Sequence, residues 1–297
     1  MKAATHHLKW RMHRLELGCQ TRVMGILNVT PNSFSDGGKF FAHETALAHA
    51  EKMAAEGADI IDVGGESSRP FSEPVSIEEE CRRVLPVIEQ LAGRIAIPIS
   101  IDTTKAEVAG RAIAAGASII NDISALKFDP EMGKIAAEND VLVILMHMKG
   151  EPATMQVDPV YDDLMSEILE FLTDAINRAE SYGIKNSNII IDPGIGFGKT
   201  VSHNLCLINQ LDQFKKLEVP ILIGTSRKAF IRKILAFPGT SELPPENHLI
   251  ETGTQASITA AALNGAHIVR VHDVANTVAA IKIADAIKTA CVSASLH

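Results

Sequence analysis

At 297 residues, 46% hydrophobic and 22% charged, the chain has the make-up of a globular domain with room for a large core. A formal net charge of −8 with no basic run speaks against a nucleic-acid surface, and the four cysteines, Cys19, Cys81, Cys206 and Cys291, include no CxxC pair that would signal zinc or a disulfide framework. The longest clean apolar run, Val141 to Met146, is far short of the ~20 residues that span a bilayer, so no membrane segment is expected and a reducing cytoplasm fits best.

Residues 1–21 carry Lys2, His6, His7, Lys9, Arg11, His13 and Arg14 without an apolar core segment, which reads as an N-terminal extension and not as a secretory signal. Eight apolar runs follow, each ending on polar residues. They are Val23–Leu27 closed by Asn28, Asp59–Val63 before GGESSR, Ile97–Ile101 before Asp102, and Ser118–Ile120 before Asn121 and Asp122. The second four are Val141–Met146 before His147, Asn188–Ile191 before Asp192, Ile221–Ile223 before GTSRK, and His267–Val271 before His272 and Asp273. Apolar strands without alternation are buried on both faces, and a helical pattern after each supplies the crossover that parallel strands need. The pattern predicts an α/β fold, a single (β/α)8 TIM barrel over residues 22–290 with a tail at 291–297 and an active site at the C-terminal ends of the strands. The extension is expected to form a lid or short hairpin over the barrel bottom.

Between these runs, VTPNSFSDGGKF and GGESSRPFSEPVS are long, turn-rich loops after the first and second strands, and loops of that length are usually functional. Helices are expected over Glu44–Glu56, from Ser76 with Glu79 at capping-box spacing, over Lys105–Ala115, about Tyr161–Tyr182 and about Val274–Lys288. Phe237–Glu246 is rich in Pro and Gly and is expected to be mobile.

Alternate residues of a strand share a face, so Arg270 and His272 point into the barrel mouth while Val269 and Val271 point to the helices. Asp102, Asn121 and Asp192 finish three other strands and Lys228 follows a fourth. Two carboxylates, a carboxamide and an ammonium can read the donors and acceptors of a small nitrogen heterocycle. Two-carboxylate glycoside hydrolysis is the sharper alternative, weakened by an aromatic content of 4% with Trp10 as the one tryptophan. An Asp-Lys pair that merely stabilises the barrel top is the blander one. Arg69, Arg270, His272 and Ser67 or Ser68 could surround an anion, with Asn28 as an oxygen ligand for a Mg2+ shared with phosphate. GIGFGKT is not a Walker A loop because Pro193 stands where glycine is needed, no GxGxxG or HExxH supports a dinucleotide or zinc site, and Ser226 lacks a nucleophile-elbow context. His147 reads as a hydrogen-bonded rim residue.

The motifs MGILNVTPNSFSDGG, DVGGESSRP, IDTTK, NDIS, LMHMKG, IDPGIGFGK, GTSRK and GAHIVRVHDV, in this order from about Val23 to the last helix, resemble the signature segments of the dihydropteroate synthase family. The resemblance implies condensation of 6-hydroxymethyl-7,8-dihydropterin pyrophosphate with p-aminobenzoate to dihydropteroate and pyrophosphate, with Mg2+, in a homodimer. Carried over by position, Asp102, Asn121, Met146, Asp192, Lys228 and Arg270 would bind the pterin. Asn28, Arg69, Arg270 and His272 would hold the pyrophosphate, with Asn28 on the metal, and Ser68, Arg69, Pro70, Phe197, Ser226 and Lys228 would form the p-aminobenzoate pocket. Asp102, Lys228, Arg270 and His272 would serve the chemistry. Ser68, Asn32 and Phe71 stand where the family commonly has Thr or Ser, Asp, and Gly. A corrinoid-directed pterin methyltransferase would have no need for GESSRP or SRK, and a non-catalytic pterin-binding paralogue would not need Arg69, Lys228 and His272 intact.

Overall fold

The computed structural model describes residues 5–30, 38–67, 73–150, 155 and 158–293, without the side chains of 38–42 and 291–293. Two short strands, β1 (His6–Trp10) and β2 (His13–Leu17), form an antiparallel hairpin, with Arg11 in the left-handed region at its turn. The barrel follows as β3 (Arg22–Asn28), α1 (Gly38–Ala55), β4 (Ile60–Gly64), α2 (Ile77–Ala92), β5 (Ile99–Asp102), α3 (Ala106–Ala115), β6 (Ile119–Asp122) and α4 (Met132–Glu138). Its second half is β7 (Leu142–Met146), α5 (Leu164–Ser181), β8 (Ile189–Asp192), α6 (Val201–Asn209), β9 (Leu222–Ile223), α7 (Ala229–Ile234), α8 (Leu249–Leu263), β10 (Ile268–Val271) and α9 (Val274–Ser293). Helix α9 thus runs three residues into the segment expected to be a tail.

The eight barrel strands are parallel in the order β8-β7-β6-β5-β4-β3-β10-β9. A bridge between Ile191 and Ile221, with Ile191 N donating to Pro220 O at 2.9 Å, joins the two ends and closes the barrel. Alternation sorts the side chains into two layers. Ile61, Val63, Ile101, Ile120, Val143, Ile191, Val269 and Val271 pack outward with the helices, whereas Ile60, Ile119, Ile144, Ile190 and Ile268 fill the barrel interior.

The hairpin closes the N-terminal end. Leu8, Trp10, Leu15 and Leu17 alternate with polar residues along β1 and β2, and all four pack against the interior isoleucines, Met24, Leu142 and Leu222. Asp285 of α9 accepts from Thr21 N and Oγ1 at 2.8 and 2.9 Å, and Asp59 accepts from Val23 N at 2.9 Å, which pins the hairpin's exit to the barrel. The Ser76 cap forms with Glu79 N donating to Ser76 Oγ at 3.2 Å, but the Glu79 carboxylate pairs with Arg82 and Arg83, so only half of the expected capping box exists. Two guanidinium groups outcompete a single backbone N–H for that carboxylate.

Candidate active site at the barrel mouth

Two residues above the apolar layer, four of the interior positions turn polar. Ile60 is followed by Asp62, Ile119 by Asn121, Ile190 by Asp192 and Ile268 by Arg270, because a step of two along a strand keeps the same face. Arg270 is the hub. Its Nε donates to Asp62 Oδ2 at 2.6 Å and its Nη2 to Asp102 Oδ2 at 2.7 Å, while Asn121 Nδ2 donates to the same Asp62 oxygen at 3.0 Å. Asp62, fully buried in mid-strand, was not singled out from sequence. The signal existed, since alternation from inward-facing Ile60 places Asp62 inward, but DIIDVGG reads locally as a strand interior.

Burial pushes the Asp102 carboxyl up to about 7, with Arg270 opposing and Asp62 adding to the shift. For Arg270, burial works against the charge, but Asp62 and Asp102 outweigh it and the guanidinium is held more firmly protonated than usual. Asp192 is likewise raised by burial, to about 6, although it accepts Gly194 N at 2.7 Å and faces Lys228. Burial and the Arg270 charge lower Lys228 to about 8, with Asp192 and Asp102 opposing. These directions describe desolvated charges gathered in one cluster, a chemistry that suits a ligand supplying donors to the carboxylates and acceptors to the cations.

The loop after β8 is shaped around this cluster. A Cβ on Gly194, at φ +72°, would drive into the His147 carbonyl oxygen, and one on Gly196, at φ +81°, would lie 3.1 Å from Lys228 Cδ. Glycine there lets the loop lie against its neighbours. Lys228 Nζ sits 4.0 Å over the Phe197 ring, and Phe197 joins Ile123, Met146, Met148 and Met155 in an apolar wall beside the polar groups. Ser226 Oγ and His272 Nδ1, just past the adjacent strands β9 and β10, share a hydrogen bond of 2.9 Å. Asn28 ends β3 next to Gly64, where a Cβ would lie 3.8 Å from both Asn28 Oδ1 and Asp102 Oδ2.

Asn28, Asp102, Asn121, Met146, Asp192, Phe197, Ser226, Lys228, Arg270 and His272 therefore all lie at or beside the C-terminal mouth. Ser68, Arg69, Pro70 and Phe71, with Asn32 of the first loop, lie outside the described residues. Asp122, adjacent to Asn121, faces away and instead accepts from Ser124 N and Oγ and from Leu126 N, closing its own loop. His147 is not a rim residue. It is buried, with Lys199 Nζ 2.8 Å from its Nδ1, and burial with the Lys199 charge lowers it to about 2. Lys199, itself buried and donating to Phe197 O at 3.0 Å, was missed because GFGKT was weighed only as a nucleotide loop.

Comparison with known proteins agrees with this geometry. A family model described as "Pterin binding enzyme" matches residues 24–272, and the chain belongs to that family. The dihydropteroate synthase of Synechocystis sp. is 47% identical over 270 residues, covering 91% of each chain, and that of Escherichia coli is 46% identical over 89% of this chain and 90% of its own. A crystal structure of Yersinia pestis dihydropteroate synthase with a sulfonamide drug complex superimposes with a TM-score of 0.87 at 44% identity, covering 96% of this chain and 99% of the other. The Xanthomonas albilineans enzyme in complex with 7,8-dihydropteroate gives 0.83 at 42% identity, over 95% and 98%. Within the pterin-binding enzymes, the chain thus belongs to the dihydropteroate synthases.

Proposed function

We propose that the chain condenses 6-hydroxymethyl-7,8-dihydropterin pyrophosphate with p-aminobenzoate, giving 7,8-dihydropteroate and pyrophosphate. The observation that carries this reading is the ring of Asp102, Asn121, Asp192, Lys228 and Arg270, in which acceptors and donors converge from four strand ends and the loop after β9. Asp192, Asp102 and the Asn121 Oδ1 accept from the pterin's amino and ring N–H groups, Lys228 donates to its carbonyl and ring nitrogen, and the Met146 wall covers its face. Arg270 spends its Nε and Nη2 hydrogens on Asp62 and Asp102, so its other edge is the one turned to the pterin face and the pyrophosphate.

The C–O bond to pyrophosphate breaks first, and its electron pair leaves with the diphosphate. Arg270 and His272, with Arg69, stabilise that charge, and Asp102 stabilises the positive charge that develops on the pterin. The arylamine of p-aminobenzoate, held by Phe197, Ser226 and Lys228 with Ser68, Arg69 and Pro70, attacks the exposed methylene carbon. It is already a free base at neutral pH, and its surplus proton passes to solvent. His147, held neutral, is not needed as a base.

Among the described residues no three carboxylate, His or Cys side chains gather into a metal cage. A lone carboxamide, Asn28, whose Oδ1 lies beside Gly64 at the strand end, fits Mg2+ of the kind that keeps its waters and is completed by substrate phosphates. When bound it would add Lewis-acid stabilisation of the leaving diphosphate. Exposed Leu205, Ile234, Phe237, Leu263, Ile283 and Ile287 concentrate on the C-terminal half and support a homodimer formed there. Among the described residues Cys19, Cys81 and Cys206 are free thiols, which supports a cytoplasmic setting. The test is pyrophosphate release that requires both p-aminobenzoate and Mg2+; tight pterin binding without turnover would instead favour a binding protein.

A further inference from the structure

We infer that Asp62 is a positioning residue for this reaction, acting through Arg270 and Asn121 without touching either substrate; the inference rests on the function proposed above. A carboxylate in the middle of an inward-facing strand position needs a reason to exist. In register on the two adjacent strands stand Ile26 and Ser100, neither of them charged, and Asp62 itself is wholly removed from water. One of its oxygens, Oδ2, takes both the Arg270 Nε–H and the Asn121 Nδ2–H, while Oδ1 has no partner among the described residues. Burying a carboxylate with half its capacity unmet costs free energy, so stability alone does not account for it.

The geometry accounts for it. A guanidinium is a rigid plane, and a single carboxylate contact leaves it free to rotate about that bond. With Asp62 on Nε and Asp102 on Nη2, along one edge, both the roll and the direction of the Arg270 plane are fixed, and the end-on edge is presented to the cavity. The same Asp62 oxygen orients the Asn121 carboxamide, so its amide nitrogen is committed inward and its oxygen is the atom left for a ligand. One buried anion therefore sets the aim of two ligand-facing groups from different strands, β6 and β10.

Asp62→Asn keeps the size and removes the charge. Steady-state kinetics on the intact protein should lose about tenfold to a hundredfold in kcat, the range found when an orienting partner behind a site is removed, with KM for p-aminobenzoate within about twofold of wild type. Because Asp62 contributes to the upward shift of Asp102, the acid limb of the kcat profile should move to lower pH, a change that looser packing alone would not produce. In a double-mutant cycle, Arg270→Lys should cost little more in the Asp62→Asn background than the larger single change, whereas independent, additive losses would overturn the inference. Should Asp62→Asn fail to fold, Asp62→Ser, smaller and still able to accept one hydrogen bond, takes its place with the same expectations. An active wild type with unchanged kcat and pH profile in the folded variant overturns this inference alone. An inactive wild type overturns the proposed reaction and the inference together.

Discussion

The two ends of this barrel are made by the same strands and differ by one step of two residues along each. At the N-terminal end the inward positions are Ile60, Ile119, Ile190 and Ile268, sealed by Trp10 and three leucines of the hairpin. At the C-terminal end they are Asp62, Asn121, Asp192 and Arg270, with Asn121 and Arg270 both bonded to Asp62 and Arg270 also to Asp102. Apolar burial at the first end is unconditional, whereas the charges at the second are incompletely satisfied until a ligand arrives. Stability and chemistry are thus stacked along one axis, which is how a barrel carries an incompletely satisfied polar site without losing its fold.

Changes at the two ends should therefore separate. Trp10→Ala removes the largest side chain of the sealed end and should cost about 3–5 kcal/mol in urea unfolding, the range for a buried Trp or Phe, while kcat below the transition stays near wild type. A large loss of kcat with unchanged stability would break the division. Asp102→Asn should do the converse. Turnover should fall about a hundredfold or more, as when one group stabilising transition-state charge is lost, with the thermal midpoint held or raised. Wild-type rates in that variant would remove Asp102 from its charge-stabilising role.

The pH dependence of stability sharpens the contrast. Asp102 at about 7 and Asp192 at about 6 lie above the usual carboxyl value near ~3.9. Between these values the folded chain binds more protons than the unfolded one, so the two groups make the free protein less stable as pH rises from about 4 to about 7. The urea midpoint should follow that slope, and Asp102→Asn should flatten it; a slope unchanged in the variant would contradict the assignment. The smallest effect is expected at His147. Held neutral by burial and Lys199, it does not titrate in the working range, so His147→Gln should lower kcat less than about tenfold, below the 10²–10⁴-fold that general acid–base groups contribute, and leave the pH profile in place.

Much of this was legible in the sequence because the barrel repeats one local rule eight times: an apolar run that ends on polar residues and then a helix. Strand ends such as Asp102, Asn121, Asp192 and Arg270 stand out where that rule stops. Asp62 did not, because it lies before the end of its run, and only its register with Ile60 and its contact with Arg270 on a strand far along the chain reveal its role. Lys199 was hidden for a different reason. Its burial against His147 depends on two loops meeting through Gly194, and no spacing within GFGKT records that contact. The half-formed cap at Ser76 failed as a pattern because the competing arginines of the same helix, Arg82 and Arg83, take the Glu79 carboxylate.

The central claim is that the polar mouth binds a pterin diphosphate and transfers its methylene to an arylamine. Pyrophosphate release from 6-hydroxymethyl-7,8-dihydropterin pyrophosphate, followed with p-aminobenzoate and Mg2+ present together and with each omitted, tests it most directly. The account predicts rapid release only in the complete mixture, in step with dihydropteroate; saturable pterin binding with no release in any mixture would contradict it.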